Sequence, residues 1–184
     1  MQTVSVTCTA GEIQGRVKED ALLFAGIPYA QPPVGNLRFK APQPLRPFSE
    51  PFAALKFGAA APQIPSGGMT DSAPVRWDED CLTLNVWTRA KITDEKLPVM
   101  VWFHGGALVW GSGSEYPGDA LTEHGVILVT VNYRLGPFGF FSHPELSMKN
   151  GSSGNQGFSD QIQSLKWVKE NIKYFGGDPN NVTI

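Results

Sequence analysis

The chain has 184 residues, enough for one domain with a sizeable core, and its 41% apolar and 17% charged residues read as globular rather than disordered. A formal net charge of −2 and the lack of any basic stripe argue against a nucleic-acid partner. No apolar run approaches the roughly 18–20 residues of a membrane span, and the opening residues lack the basic start and apolar stretch of an export signal, so a cytoplasmic protein without membrane association is expected.

In chain order, residues 4–7 and 12–17 read as a short hairpin with Gly11 in its turn, and residues 21–27 as a further strand. Residues 28–51 carry Pro28, Pro32, Pro33, Pro42, Pro44, Pro47 and Pro51. Each proline removes a backbone donor and disfavours helix before it. Phe39, Leu45 and Phe48 argue that this extended stretch lies over a core. Residues 63–77 read as a loop, softest at Gly67-Gly68.

Residues 82–88 alternate Leu82, Leu84 and Val86 with Thr83, Asn85 and Trp87, the pattern of a strand with two faces of different character. Residues 98–104 and 126–132 are continuous apolar runs, which predict strands of a parallel sheet buried on both faces. Residues 117–124 between them predict a short helix. Residues 156–175 predict the longest helix, with Phe158, Ile162, Leu165, Val168, Ile172 and Phe175 on one apolar face. Gly176-Gly177 and Pro179 then stop it, and Val182-Thr183-Ile184 starts another β-type run. Strands and helices in this alternation indicate an α/β sheet.

The chemically suggestive stretch is Phe103-His104-Gly105-Gly106-Ala107, where a β-favouring run breaks into a turn almost without side chains. Bare backbone N–H groups at the end of a buried strand can hold a developing oxyanion, the species ester hydrolysis most needs stabilised. On spacing alone, an ordinary turn is the better account of Gly-Gly after a strand.

Several motifs, in order along the chain, resemble those of the type-B carboxylesterases. Glu79-Asp80-Cys81-Leu82-Thr83-Leu84-Asn85-Val86-Trp87 resembles a signature of that family. So do Ala25-Gly26-Ile27-Pro28-Tyr29-Ala30, Leu37-Arg38-Phe39, Asn132-Tyr133-Arg134-Leu135-Gly136, Gly154-Asn155-Gln156-Gly157, Asp160-Gln161 and Phe175-Gly176-Gly177-Asp178-Pro179. The family includes carboxylesterases, cholinesterases and bacterial p-nitrobenzyl esterases. The resemblance implies that residues 1–184 are the N-terminal portion of a single α/β-hydrolase domain. That portion is a mostly parallel central sheet with flanking helices, preceded by a small antiparallel hairpin, in which the strand at 99–103 pairs with the one beginning at Val182.

The same resemblance implies a serine carboxylesterase that works through an acyl-enzyme on a small-molecule ester, with no metal and no other cofactor. The nucleophile of this fold sits in a Gly-x-Ser-x-Gly elbow, which in the family follows the equivalent of residues 181–184. Serine, acid and histidine are therefore expected from a C-terminal remainder acting as partner, and the isolated chain is expected to be inactive. Gly106 and Ala107 would supply oxyanion-hole N–H groups, and Gly105, Leu108, Val109 and Trp110 would border the substrate. Ala107 stands where the family often has a third glycine. His104 shapes this loop and is not the general base, while His124 and His143 face solvent or cap backbone. Arg38 with Glu79, and Arg134 with Asp160, would be structural ion pairs. Residues 111–116 read as a surface loop or a substrate contact, and Phe138, Phe140 and Phe141 as core. Cys8 and Cys81 are compatible with one disulfide or two thiols, two thiols being expected. Cys81 matches a family cysteine whose usual partner position is Ala61, so that disulfide is expected to be absent. Two other readings stay open: a non-catalytic, adhesion-type relative, and an inactive truncated product.

Overall fold

The computed structural model describes residues 2–64, 76–91 and 93–184. β1 (Thr3–Cys8) and β2 (Gly11–Lys18) form the antiparallel hairpin, and β2 continues antiparallel into β3 (Ala21–Pro28). Gly11 opens β2 opposite Cys8. After the proline-rich stretch, β4 is only Phe52–Ala53 and pairs parallel with β2. β5 (Thr83–Thr88), β6 (Leu97–Phe103), α1 (Asp119–Thr122) and β7 (Ile127–Val131) follow. Then come α2 (Gly136–Phe140), α3 (Pro144–Asn150), α4 (Gln156–Asn171) and β8 (Gly177–Thr183).

The strands make one sheet in the order β1-β2-β3-β5-β7-β6-β8. It is mixed. Parallel pairing holds β6 between β7 and β8, with Val99 opposite Ile127 on one side and Val182 on the other, whereas β3, β5 and β7 pair antiparallel. At a register break in β3 between Phe24 and Ile27, the Gly26 N–H donates to Asn85 Oδ1, and Asn85 Nδ2 donates to Thr130 Oγ1. This buried carboxamide satisfies the backbone donor that the irregularity frees.

The main core lies on the α4 face, where Val99, Val101, Ile127, Val129 and Val131 meet Trp167, Val168, Ile172 and Phe175. α1 packs against β5 and β7, with Gly118 of its N-terminus lying directly over Trp87, which clusters with Leu23, Ala25 and Leu128. β5 is buried on both faces, Thr83, Asn85 and Trp87 included, because sheet neighbours and loops enclose it.

Three expectations need correction. β6 is not buried on both faces: Met100 and Trp102 are 37% and 45% exposed, since the short α1 does not reach across that side of the sheet. The apolar stripe of α4 faces inward only in part: Leu165, Val168, Ile172 and Phe175 meet the core, but its first members do not. Phe158 and Ile162 are exposed, while Gly157, Asp160, Ser164, Trp167, Val168 and Asn171 are buried. Polar residues take the inner face because they have partners there, Asp160 on Arg134 and Asn171 on Thr9. The helix also ends earlier, passing at Ile172–Phe175 into a 3₁₀ turn closed by Gly176 at φ +87.

The stretch at 28–51 is largely exposed, with a single 3₁₀ turn at Gly35–Leu37, although Phe48 packs on the core and stacks on Phe52. Phe138, Phe140 and Phe141 sit on and just after α2, not in the main core. Phe39 stands between Phe138 and Phe141 at 6.1 and 6.0 Å, and Phe140 meets Phe158 edge-on. Most of the loop expected at 63–77, Gly67-Gly68 included, lies outside the described residues.

Two ion pairs brace the fold differently. Arg38 and Glu79 form a two-bonded pair at the surface, at 2.5 and 2.6 Å. Arg134 and Asp160 are buried almost completely, joined Nε to Oδ2 at 2.8 Å and Nη2 to Oδ1 at 2.7 Å, and the Arg134 N–H adds a third bond to Oδ2. Burial pushes the Asp160 carboxyl up, while the Arg134 bonds pull it back. The pair ties the chain leaving β7 to the first turns of α4. Removing one buried partner strands the other charge, so Asp160→Ala should cost about 3–5 kcal/mol by urea denaturation. A loss under ~1 kcal/mol would contradict the bracing role.

Candidate active site

β6 ends at Phe103, and the chain turns at once. Gly106, Ala107 and Leu108 have φ of +110, +52 and +64, three consecutive residues in left-handed backbone. A Cβ at Gly106 would run into the Trp110 carbonyl, so only glycine fits there. Ala107 adopts a conformation that costs an L-residue about 1–2 kcal/mol, which a glycine would relieve. The Gly106 carbonyl accepts from the N–H groups of Val109 and Trp110 at 3.0 and 3.2 Å, closing the turn on itself. Among the described residues, nothing accepts a hydrogen bond from the N–H of Gly106 or of Ala107. The turn therefore presents two adjacent donors, and Ala107 stands exposed beside an exposed Gly105.

Polar side chains hold the turn from beneath. Tyr133 Oη donates to the His104 carbonyl at 2.8 Å, and its ring stacks on the imidazole at 4.7 Å. The Gly136 N–H donates to the Leu108 carbonyl at 2.7 Å. Gln63 Oε1 accepts from the Gly111 N–H at 2.8 Å, and Gln63 Nε2 donates back to the Gly111 carbonyl at 3.0 Å. Asn132 Oδ1 accepts from the N–H of Gly113 and the hydroxyl of Ser112, while its Nδ2 donates to the Ala59 carbonyl. Residues 111–116 are thus no surface loop: Gly111, Ser112, Gly113 and Glu115 are buried, and their backbone is held by amide side chains.

His104 is only 2% exposed. Its Nδ1 lies 2.9 Å from the Gly105 carbonyl, which can only accept, so the proton is on Nδ1 and the lone pair on Nε2. Among the described residues Nε2 has no partner. This ring supports the turn, and among the described residues no hydroxyl or thiol is hydrogen-bonded to it. His143 caps α3 by accepting from the Glu145 N–H. Cys8 and Cys81 are free and buried, and burial pushes both thiols up, which makes them poor nucleophiles.

Of the residues expected to border a substrate, Gly105 and Val109 are exposed at the turn, Trp110 is half-buried, and Leu108 packs on the main core. An apolar cavity of about 340 Å³ opens beside the carboxyl ends of β6 and β8, lined by Met100, Trp102, Tyr116, Leu121 and Ile184 among others, and none of those four borders it. Glu115 also lines it, and burial pushes its carboxyl up. The signal for Tyr133 and Asn132 was present in the sequence inside the Asn132–Gly136 motif. Gln63 read only as the start of a loop.

The sequence profile described as the carboxylesterase family matches residues 2–184. The chain belongs to the carboxylesterase family. The para-nitrobenzyl esterase of Bacillus subtilis (strain 168) is 46% identical over 184 residues, a match that covers 97% of this chain and 37% of that protein. The fumonisin B1 esterase of Sphingopyxis macrogoltabida is 43% identical, covering 95% of this chain and 33% of its own. A solved PNB esterase structure superposes with a TM-score of 0.87 at 43% identity, covering 97% of this chain and 37% of that one. The fold is accordingly the N-terminal part of an α/β-hydrolase. This carboxylesterase chain spans about a third of the length of the curated relatives it matches.

Burial, offset in part by the Gly105 carbonyl, holds the His104 imidazole below its ordinary value of 6.5. As pH falls, the unfolded chain takes up this proton before the folded chain does. The stability owed to His104 is therefore complete above pH 6.5 and is lost as pH falls toward the depressed folded value. His104→Phe, which keeps the stack on Tyr133, should lose less unfolding free energy than the native chain between pH 7 and ~5. Parallel pH profiles would contradict a buried neutral imidazole.

Proposed function

We propose that this chain supplies the oxyanion half of a serine carboxylesterase acting on small-molecule esters. The observation that carries the reading is the pair of N–H groups at Gly106 and Ala107, without an acceptor among the described residues and held at positive φ, strained at Ala107, at the end of β6. Strained backbone with open donors is expected where a developing anion must be met, and is otherwise a liability to the fold. In the proposed reaction a serine attacks the ester carbonyl, the carbonyl oxygen becomes an oxyanion facing these donors, and the alcohol leaves. Water then releases the acid from the acyl-enzyme.

In this reading the serine, its histidine and acid, and a third N–H from the residue after the serine come from the C-terminal part that the relatives possess. The exposed Met100 and Trp102 support it, since such a part would cover that apolar face of the sheet. The chain by itself is then inactive. The oxyanion donors are backbone amides, so this half of the chemistry calls for no cofactor.

The test grafts residues 1–184 in place of the matching part of the Bacillus subtilis relative and measures p-nitrophenyl acetate hydrolysis. The chimera should turn over, and the isolated chain should not. Gly106→Pro removes one donor together with the φ it needs, and should lower kcat about 10²–10³-fold in the chimera. A folded chimera without turnover would favour a non-catalytic relative, and undiminished turnover by the variant would refute the role of Gly106.

A further inference from the structure

We infer that Gln63 is a positioning residue for the oxyanion turn, a deepening of the function proposed above that rests on it. The Gln63 carboxamide pairs with the Gly111 backbone as a neighbouring strand would, accepting from its N–H at 2.8 Å and donating to its carbonyl at 3.0 Å. Its second N–H proton goes to the Ala61 carbonyl, also at 3.0 Å. Both amide protons and the oxygen are thereby used. Among the side chains only a primary carboxamide offers this planar donor and acceptor set without a charge.

The place of Gly111 gives the clamp its reach. A Cβ on Gly111 would press on the His104 ring and the Gly105 carbonyl, so the closing end of the loop lies directly on its opening end. Between these ends, the Gly106 carbonyl gathers the N–H groups of Val109 and Trp110, which makes residues 106–110 one stiff turn. The opening end is fixed by Tyr133 through the His104 carbonyl, and the closing end by Gln63. Three consecutive left-handed residues persist only where their surroundings over-determine them. Without Gln63 the closing end is free to slide, and the Gly106 and Ala107 donors move with it. A displacement of about 1 Å at such donors costs on the order of 10²-fold in rate. Because the donors act on the oxyanion and not on the ground-state ester, the loss falls on kcat and leaves KM in place.

The experiment places Gln63→Met, of similar length and shape but without the amide, in the chimera carrying residues 1–184. Turnover of p-nitrophenyl acetate is measured alongside burst titration of competent serines and amide exchange at Val109 and Trp110. The clamp predicts kcat down roughly 10- to 100-fold, KM within about twofold, an unchanged burst per mole of folded protein, and faster exchange at both amides. Native kcat, or a fall in burst that accounts for the whole loss, overturns the proposal, as does unchanged exchange at Val109 and Trp110. If the chimera with native Gln63 has no turnover, the esterase reading fails, and the exchange comparison still decides whether Gln63 holds the turn.

Discussion

Three consecutive residues, Gly106, Ala107 and Leu108, hold positive φ, and a chain does not keep that geometry unaided. Left-handed backbone at the two non-glycine positions costs about 1–2 kcal/mol each, and two N–H groups are left without an acceptor among the described residues besides. The surroundings bear this cost through a ring of hydrogen bonds: Tyr133 on the His104 carbonyl, Gly136 on the Leu108 carbonyl, and Gln63 on both polar groups of Gly111. The fold around β6 is organised to keep one turn in a conformation it would otherwise leave.

That ring stands on the central strands. Asn132 and Tyr133 follow directly from β7, which is buried throughout and lies beside β6 in parallel register. Tyr29, at the end of β3, donates to the Asn132 carbonyl at 2.7 Å. Arg134, next in sequence, is locked to Asp160 on α4. Four successive functions, gripping the loop at 112–113, gripping His104, anchoring the helix and gripping Leu108, thus fall to residues 132, 133, 134 and 136 at one strand end. A buried ion pair adds little net stability, but it fixes where that strand end sits, and the turn at 106–108 inherits the position.

Much of this arrangement was legible in the sequence. The hairpin, the strands at 83–88 and 127–131, the helix beginning at Gln156 and the turn after Phe103 all announce themselves through alternation, apolar runs and glycine placement. β6 and α4 were misread at their faces for a shared reason. Apolar periodicity shows which residues can be buried, not which ones find neighbours. Met100, Trp102, Phe158 and Ile162 are apolar and exposed, whereas Asp160, Ser164 and Asn171 are polar and buried because Arg134, Thr9 and the helix backbone satisfy them. The buried loop at 111–116 looked like surface because its composition is glycine and serine, and the amides that hold it, Gln63 and Asn132, come from sequence positions 48 and about 20 residues away. Long-range hydrogen bonds of this kind leave no local pattern to read.

The central claim is that the open N–H groups of Gly106 and Ala107 face the oxyanion of an ester hydrolysis. Its most direct test is a crystal structure of the chimera carrying residues 1–184 after reaction with a p-nitrophenyl phosphonate, whose tetrahedral phosphorus on the serine of the Bacillus subtilis part imitates the intermediate. The phosphonyl oxygen should lie ~2.7–3.1 Å from the amide nitrogens of both Gly106 and Ala107, with the turn unmoved. An oxygen pointing away from them, beyond ~3.5 Å from either nitrogen, would contradict the assignment.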